Sequence, residues 1–275
     1  MSIPPVFAAL VDDAAIYPPG SLPLPAAVVA HAVHRRSSLR ELVGPFVVGA
    51  GDLAAAAEAA TAELFPEGLG VSVVVPGPEA VGATLESAGR CRVLALEVKL
   101  DGSRALAPQV AEIAGVDRGD VTTYVEVPRP GHPEWAELLA AVADAGMRLK
   151  FRTGGTEAAA FPSETEVAGW IRDAARASTP FKCTAGLHHA VRHTDAATEF
   201  EHHGFLNILC AAAAAAAGAE VDSLVAILGE RDGRALAVPA QRALFASYGS
   251  CSVTEPYDDL ATLGLLGDGV AGSEQ

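Results

Sequence analysis

Two lysines set about a helix's length apart carry the first chemical signal in this sequence. The segments RLKFRTGG (148–155) and TPFKCTAGLHHAVR (179–192) both run from apolar residues through a lysine to small residues and glycine. A parallel strand delivers reactive side chains to the mouth of an α/β fold in this way. A lysine amine attacks a carbonyl only when neutral, and its reference pKa of about 10.4 leaves little free amine at neutral pH. A nearby cation lowers that pKa by repulsion, and partial burial acts in the same direction. Lys182 and Arg152 could each do this to Lys150. The resulting protonated imine would withdraw electrons from the adjacent carbon, so that a carbon-carbon bond there can break or form. A carboxylate must then move protons, and Glu97 and Glu126 are the acidic residues that interrupt apolar runs. The catalytic set read from residue types is therefore Lys150, Lys182, Glu97 and Glu126. The same four charges could instead be an ion-pair network that merely closes a barrel.

Other polar residues fall on the same strand faces by the period-two rule: Lys99 with Glu97, Arg152 with Lys150, and Thr184 with Lys182. The segment SYGSCSVTEP offers Gly249, Ser250 and Ser252 just before a helix expected to begin near Glu255, an arrangement that suits an anion or a sugar hydroxyl. Capping of that helix by Ser252 or Thr254 is the simpler alternative. Five of the chain's eight histidines, His188, His189, His193, His202 and His203, lie between positions 188 and 203. His188 and His189 could serve as acid-base or anion contacts. With Glu201 or Asp195 the cluster could also bind a divalent metal for a hydrolase or isomerase. There is no HExxH or other rigid ligand spacing, so the preferred reading has no metal and no cofactor.

These residues need positioning, and the apolar pattern supplies strands. Eight β-like runs fall at 6–11, 46–50, 71–75, 93–100, 121–127, 149–153, 181–184 and 244–253. Helix-length stretches separate most of them, at about 22–36, 53–65, 78–88, 105–114, 134–145 and 164–177. Such alternation implies right-handed βαβ units and a parallel sheet. The expected fold class is α/β, a (β/α)8 TIM barrel, as one domain over 1–275. A helical insertion is expected between strands 7 and 8, at about 187–242, with helices near 199–217 and 222–229 beside the strand C-termini. A doubly wound open sheet is the alternative, but no GxGxxG follows the first strand.

The formal charge of -15 argues against general affinity for nucleic acid or an anionic membrane. Four cysteines without CxxC spacing suggest reduced thiols in the cytoplasm. The start, MSIPPVFAALVDD, does not read as a signal peptide, and the longest apolar stretch, 205–217, is too short to span a bilayer. The expected partner is a small, anionic substrate molecule, and a homo-oligomer is compatible with the sequence. Disorder is expected only from about Ala271.

Taken together, the motifs resemble those of the class I deoxyribose-phosphate aldolases. KFRTGG is similar to the family's sixth-strand lysine motif, with Lys150 at the imine position, Thr153 and Gly154 matching, and Arg152 where a serine is usual. FKCTAGLHH resembles the seventh-strand motif, with Lys182 as the second lysine and Gly186 in the phosphate loop, and SYGSCS resembles the eighth-strand glycine-serine motif. LVDDAAIYPP, containing Asp12, looks like the opening aspartate motif. LEVKL puts Glu97 where an aspartate proton shuttle is expected, and TYVEV puts Glu126 at a strand-end glutamate. The chain also resembles a group of bacterial proteins with aspartate-PPG, RTGG, TAGLHH and GSCS segments. The resemblance implies a barrel lyase that forms an imine on Lys150. Arg152, Glu97, and His188 in place of a common arginine depart from the family pattern, which widens the expected substrate to another aldehyde, keto acid or phosphorylated sugar.

Overall fold

Eight parallel strands close on themselves in the computed structural model, which describes residues 2–267. They are β1 (Val11–Asp13), β2 (Val43–Gly49), β3 (Leu69–Val75), β4 (Cys91–Val98), β5 (Thr122–Glu126), β6 (Arg148–Arg152), β7 (Phe181–Thr184) and β8 (Phe245–Ser250). Strands adjacent in sequence pair side by side, and β8 closes the ring against β1. The fold is the expected (β/α)8 barrel. The expected disorder beyond Ala271 lies outside the described residues.

Among the described residues the surrounding helices are α1 (Leu24–His34), α2 (Leu53–Ala59), α3 (Val81–Glu86), α4 (Leu106–Ala114), α5 (Trp135–Asp144), α6 (Glu164–Arg176), α7 (Phe205–Ala216), α8 (Val221–Gly229) and α9 (Thr254–Thr262). Of these, α6 starts with a reciprocal capping box, in which Ser163 accepts from the Glu166 amide and the Glu166 side chain accepts from the Ser163 amide. Among the described residues no helix is long and apolar enough to cross a membrane.

Several element boundaries differ from those read in the sequence, and two have a clear local cause. The first strand begins at Val11 rather than near Val6, because the Pro4-Pro5 pair feeds a short 3-10 turn, Pro5–Phe7, and Ala9 takes a positive φ of 48° before the chain straightens. The eighth strand stops at Ser250, where Ser252 turns the chain and its hydroxyl accepts the Glu255 amide at the start of α9.

The segment between β7 and β8 holds α7, α8 and a small antiparallel pairing of His193–Thr194 with Glu201–His202. Its helices do not sit beside the strand ends. Instead α7 packs on α6 and β8, and α8 packs on α6 and α7. The reason lies in α7, FLNILCAAAAAA, which is apolar nearly all round and must be covered on more than one side. The small pairing does lie near the strand ends, where His202 contacts Phe161 in the loop after β6, with ring centroids 4.5 Å apart.

Outside β6, β7 and β8 runs a row of aromatic rings. Trp170 of α6 stacks on Phe151 at 5.0 Å, Phe151 meets Phe181 at 4.8 Å, and Phe181 meets Phe245 at 5.5 Å. Phe205 of α7 stacks on Tyr248 at 5.2 Å. A one-residue slip of a strand would turn its aromatic residue into the barrel and its lysine out, so this row fixes which face Lys150 and Lys182 present.

β1 is anchored differently. Asp13 points outward to α1, where its Oδ2 lies 2.9 Å from His31 Nδ1 and 3.2 Å from His34 Nδ1. Burial pushes the Asp13 carboxyl up, but the two histidines outweigh it and hold the group down at about 2. A carboxylate with a depressed folded pKa stabilises the fold fully above its unfolded value of about 4, and the contribution disappears as pH falls through about 2. Asp13→Asn should therefore cost about 2 kcal/mol at neutral pH. It should also flatten the acid limb of stability between pH ~4 and ~2, as read by urea unfolding across that range.

Candidate active site

Strand geometry sends alternate residues inward, and in this barrel those residues are charged. TIM-barrel interiors are usually layers of branched aliphatic side chains. Here Asp12 of β1, Glu97 of β4, Lys150 of β6 and Lys182 of β7 are each 3% exposed or less. Lys150 and Lys182 are direct partners across the β6–β7 ladder, and Lys150 pairs likewise with Glu126 of β5.

Glu97 joins the two amines. Its Oε2 lies 2.8 Å from Lys150 Nζ and its Oε1 2.5 Å from Lys182 Nζ, and Ser72 of β3 donates to Oε1 at 2.7 Å. Lys182 also donates to Asp12 Oδ2 at 2.5 Å, which accepts in addition from Ser247 of β8 at 2.9 Å. Lys182 therefore reaches a carboxylate two strands away on one side and one three strands away on the other. Its Nζ further lies 5.3 Å from the centre of the Tyr124 ring.

The electrostatics follow from these contacts. Burial disfavours the charge on Glu97, but Lys150 and Lys182 outweigh it and hold the carboxyl far below the usual range. Burial would also strip the proton from Lys182, yet Asp12 and Glu97 overcome it and drive that pKa well up. Lys182 thus stays the cation that the sequence reading set beside Lys150, but a carboxylate stands between the two amines. Asp12 moves the other way. Its burial raises the pKa more than Lys182 lowers it, and the charge on Glu97 adds to the rise.

Glu126 is the most open member, with its side chain 19% exposed. Its Oε2 is 2.9 Å from Lys150 Nζ, an ion-pair distance, yet this buried oxygen lacks a well-directed hydrogen bond. That leaves a lone pair beside the ammonium that would have to lose a proton.

The remaining expected residues are distributed unevenly. Arg152 is exposed at the C-terminal end of β6, and Thr184 is half-buried at the end of β7. Lys99 lies beyond the end of β4 and is exposed, so it does not share the inward face with Glu97. The Thr153 hydroxyl donates to the Ala185 carbonyl at 2.7 Å, tying together the loops after β6 and β7. Gly186 has a φ of +73°, and a Cβ there would stand 3.0 Å from the Gly154 Cα, so both glycines permit a close crossing of those loops. Gly249 pairs with Asp12 and Thr184, and the buried Ser250 hydroxyl accepts from the Ser252 amide at 3.3 Å.

The rings of His189, His193 and His202 form a chain, with centroids 4.8 and 5.2 Å apart, while His188 and His203 have other partners. His188 Nδ1 is 3.0 Å from Glu255 and His189 Nδ1 is 3.1 Å from Asp259, both on α9. His193 contacts the Val191 carbonyl, His202 packs on Phe161, and the buried His203 contacts Arg192 and the Pro162 carbonyl. Among the described residues no three histidine, cysteine, aspartate or glutamate side chains are grouped to hold a metal.

Three residues were missed. Ser72 and Ser247 complete the carboxylate contacts, and each was visible as a lone hydroxyl at an inward position of an otherwise apolar or small-residue strand. Tyr17, in the loop after β1, has its phenol pushed up by burial and by the charges of Glu97 and Asp52, so it stays a donor at neutral pH. Nothing in the local pattern IYPPGS marks it as facing Glu97.

No family model, curated protein or solved structure matches the chain. Glu97→Gln should leave two buried ammonium groups short of a carboxylate and lower stability by about 3–5 kcal/mol. Lys182→Met in the same background should recover at least about 1 kcal/mol, giving a double-mutant coupling measurable by denaturant unfolding.

Proposed function

We propose that the barrel is an imine-forming lyase or condensing enzyme of the class I aldolase type, acting on a small anionic carbonyl compound. The observation that supports this most directly is the pair of buried lysine amines held by one carboxylate, with a second and more open carboxylate, Glu126, beside Lys150 alone.

The roles follow from charge. Glu97, held ionised by two ammonium groups, is a poor proton acceptor and serves as the bridge that fixes both amines. Glu126 touches only one of them and takes the proton that Lys150 must release. The freed lone pair on Lys150 Nζ then adds to the substrate carbonyl carbon, and the carbonyl oxygen takes up a proton. Loss of that oxygen as water leaves a protonated imine. The bond between the carbons α and β to the imine breaks, its electron pair moving into the imine as an enamine, while Glu126 removes the proton of the β-hydroxyl. The aldehyde fragment departs, the enamine carbon is reprotonated, and water releases the second product and restores the amine. Condensation is the same path reversed. In this reading Arg152 meets the anionic end of the substrate at the mouth, with Ser250 at the end of β8 and Ser252 on the loop after it.

Sodium borohydride reduction in the presence of acetaldehyde, pyruvate or a triose phosphate is expected to leave a stable adduct on Lys150, seen by peptide mass analysis and lost in Lys150→Met. Reduction that labels neither lysine with any of these carbonyls would overturn the reading. Where turnover is found, Glu126→Gln should lower kcat about a hundredfold or more, the usual scale of a lost general base. Its fold should survive better than that of Glu97→Gln.

A further inference from the structure

A cavity opens at the N-terminal end of the barrel, opposite the mouth. Its volume is about 660 Å³, and it is lined by residues near the starts of the strands, including Pro45, Leu94 and Arg148, and reaches inward to Asp12, Tyr124 and Ser247. This falls in the size range of small-ligand sites, although barrels place their chemistry at the other face. Its charged lining consists of Asp12, Arg148 and Arg242, two positive groups against one negative. In a chain of net charge -15, a cationic pocket is the exception.

Both guanidinium groups are set for an incoming acceptor. Arg242, from the loop before β8, has its Nη1 buried without a hydrogen-bond partner among the described residues. A buried unpaired donor of this kind costs free energy that an arriving anion would recover. Arg148 lies over the Tyr124 ring, 5.8 Å from its centre, and donates only a long 3.3 Å bond to the Tyr124 hydroxyl. The one carboxylate, Asp12, is already committed, since its Oδ2 accepts from Lys182 and Ser247. Leu94, Pro45 and Pro180 add apolar wall around these cations.

We infer that the N-terminal face of the barrel is a binding site for a small organic anion, with Arg242 and Arg148 gripping its oxyanion head and the apolar wall receiving a short carbon body. A phosphate and a carboxylate head share the chemistry needed, because a guanidinium fork matches either. The site uses neither Lys150 nor the mouth and does not rest on the imine reading, although it shares Asp12 with the charged interior.

Calorimetric titration with succinate, glycerol 3-phosphate and inorganic phosphate at constant ionic strength tests it, with chloride as the reference. At least one of the two carbon-bearing anions should bind, and more tightly than inorganic phosphate; which of them does so identifies the head group. Arg242→Gln and Arg148→Gln should each weaken binding about tenfold or more, while Arg152→Gln at the mouth should leave it unchanged. In the wild-type protein the bound anion should shield Arg242 and Arg148 from phenylglyoxal, a reading that stands even where a variant folds poorly. Binding no better than chloride, or binding lost in Arg152→Gln and kept in Arg242→Gln, or labelling of both arginines unaffected by the anion, would overturn the inference.

Discussion

The carboxylate of Glu97 is the contact on which the barrel interior depends. Two ammonium groups on neighbouring strands would repel one another strongly in a medium that screens charge poorly. Glu97 gives one oxygen to each, so that attraction replaces repulsion along the same line. It reaches the lysines from β4 across the curve of β4 to β7, so the contact needs those four strands in place. With β4 absent from its place, Lys150 would keep only Glu126 and Lys182 only Asp12.

The outer surface of the sheet makes this interior tolerable. Desolvating a charge costs several kcal/mol per ion, and the aliphatic and aromatic residues that would ordinarily share the work inside the barrel are concentrated outside it. Val71, Val73 and Val75 of β3 and the ring row of β6 to β8 belong to the apolar layer beneath the helices. The fold's stability is thus carried between sheet and helices, and the barrel axis is left to polar groups.

Much of this was legible because it depends on the period of two. FKCT and RLKFR announce both a strand and which residues face the same way, and the counting of eight runs was enough for the barrel. Charged residues inside apolar runs likewise marked Glu97, Glu126, Lys150 and Lys182. What the sequence concealed is who meets whom across the axis. Nothing local says that Glu97 lies between the lysines or that Lys182 belongs to Asp12, separated from it by 170 positions. Since pKa depends on those partners, the reading in which Lys182 acts directly on Lys150 left out the carboxylate that stands between them. Lys99 failed for a simpler reason: period two applies only while the strand lasts, and β4 ends at Val98. For the histidines, closeness in sequence does bring the rings of His189, His193 and His202 together, but the turns of that segment send His188 to Glu255 and His203 to the Pro162 carbonyl.

A structural ion-pair network explains the same contacts, so the choice between it and chemistry must come from cost. Replacing a buried ion pair by well-packed apolar residues of similar volume is often neutral or stabilising, and a barrel of this type is ordinarily filled that way. Stability alone thus gives no reason to place two lysines and three acidic residues along one axis. Nor would a network built only to close the barrel leave one member unsaturated, as Glu126 is with its poorly directed oxygen beside Lys150. A departure from the usual interior whose local cost is not recovered locally is what a functional constraint produces. In the proposed reading, the asymmetry between Lys182, locked by two carboxylates, and Lys150, facing the open one, puts that constraint at Lys150.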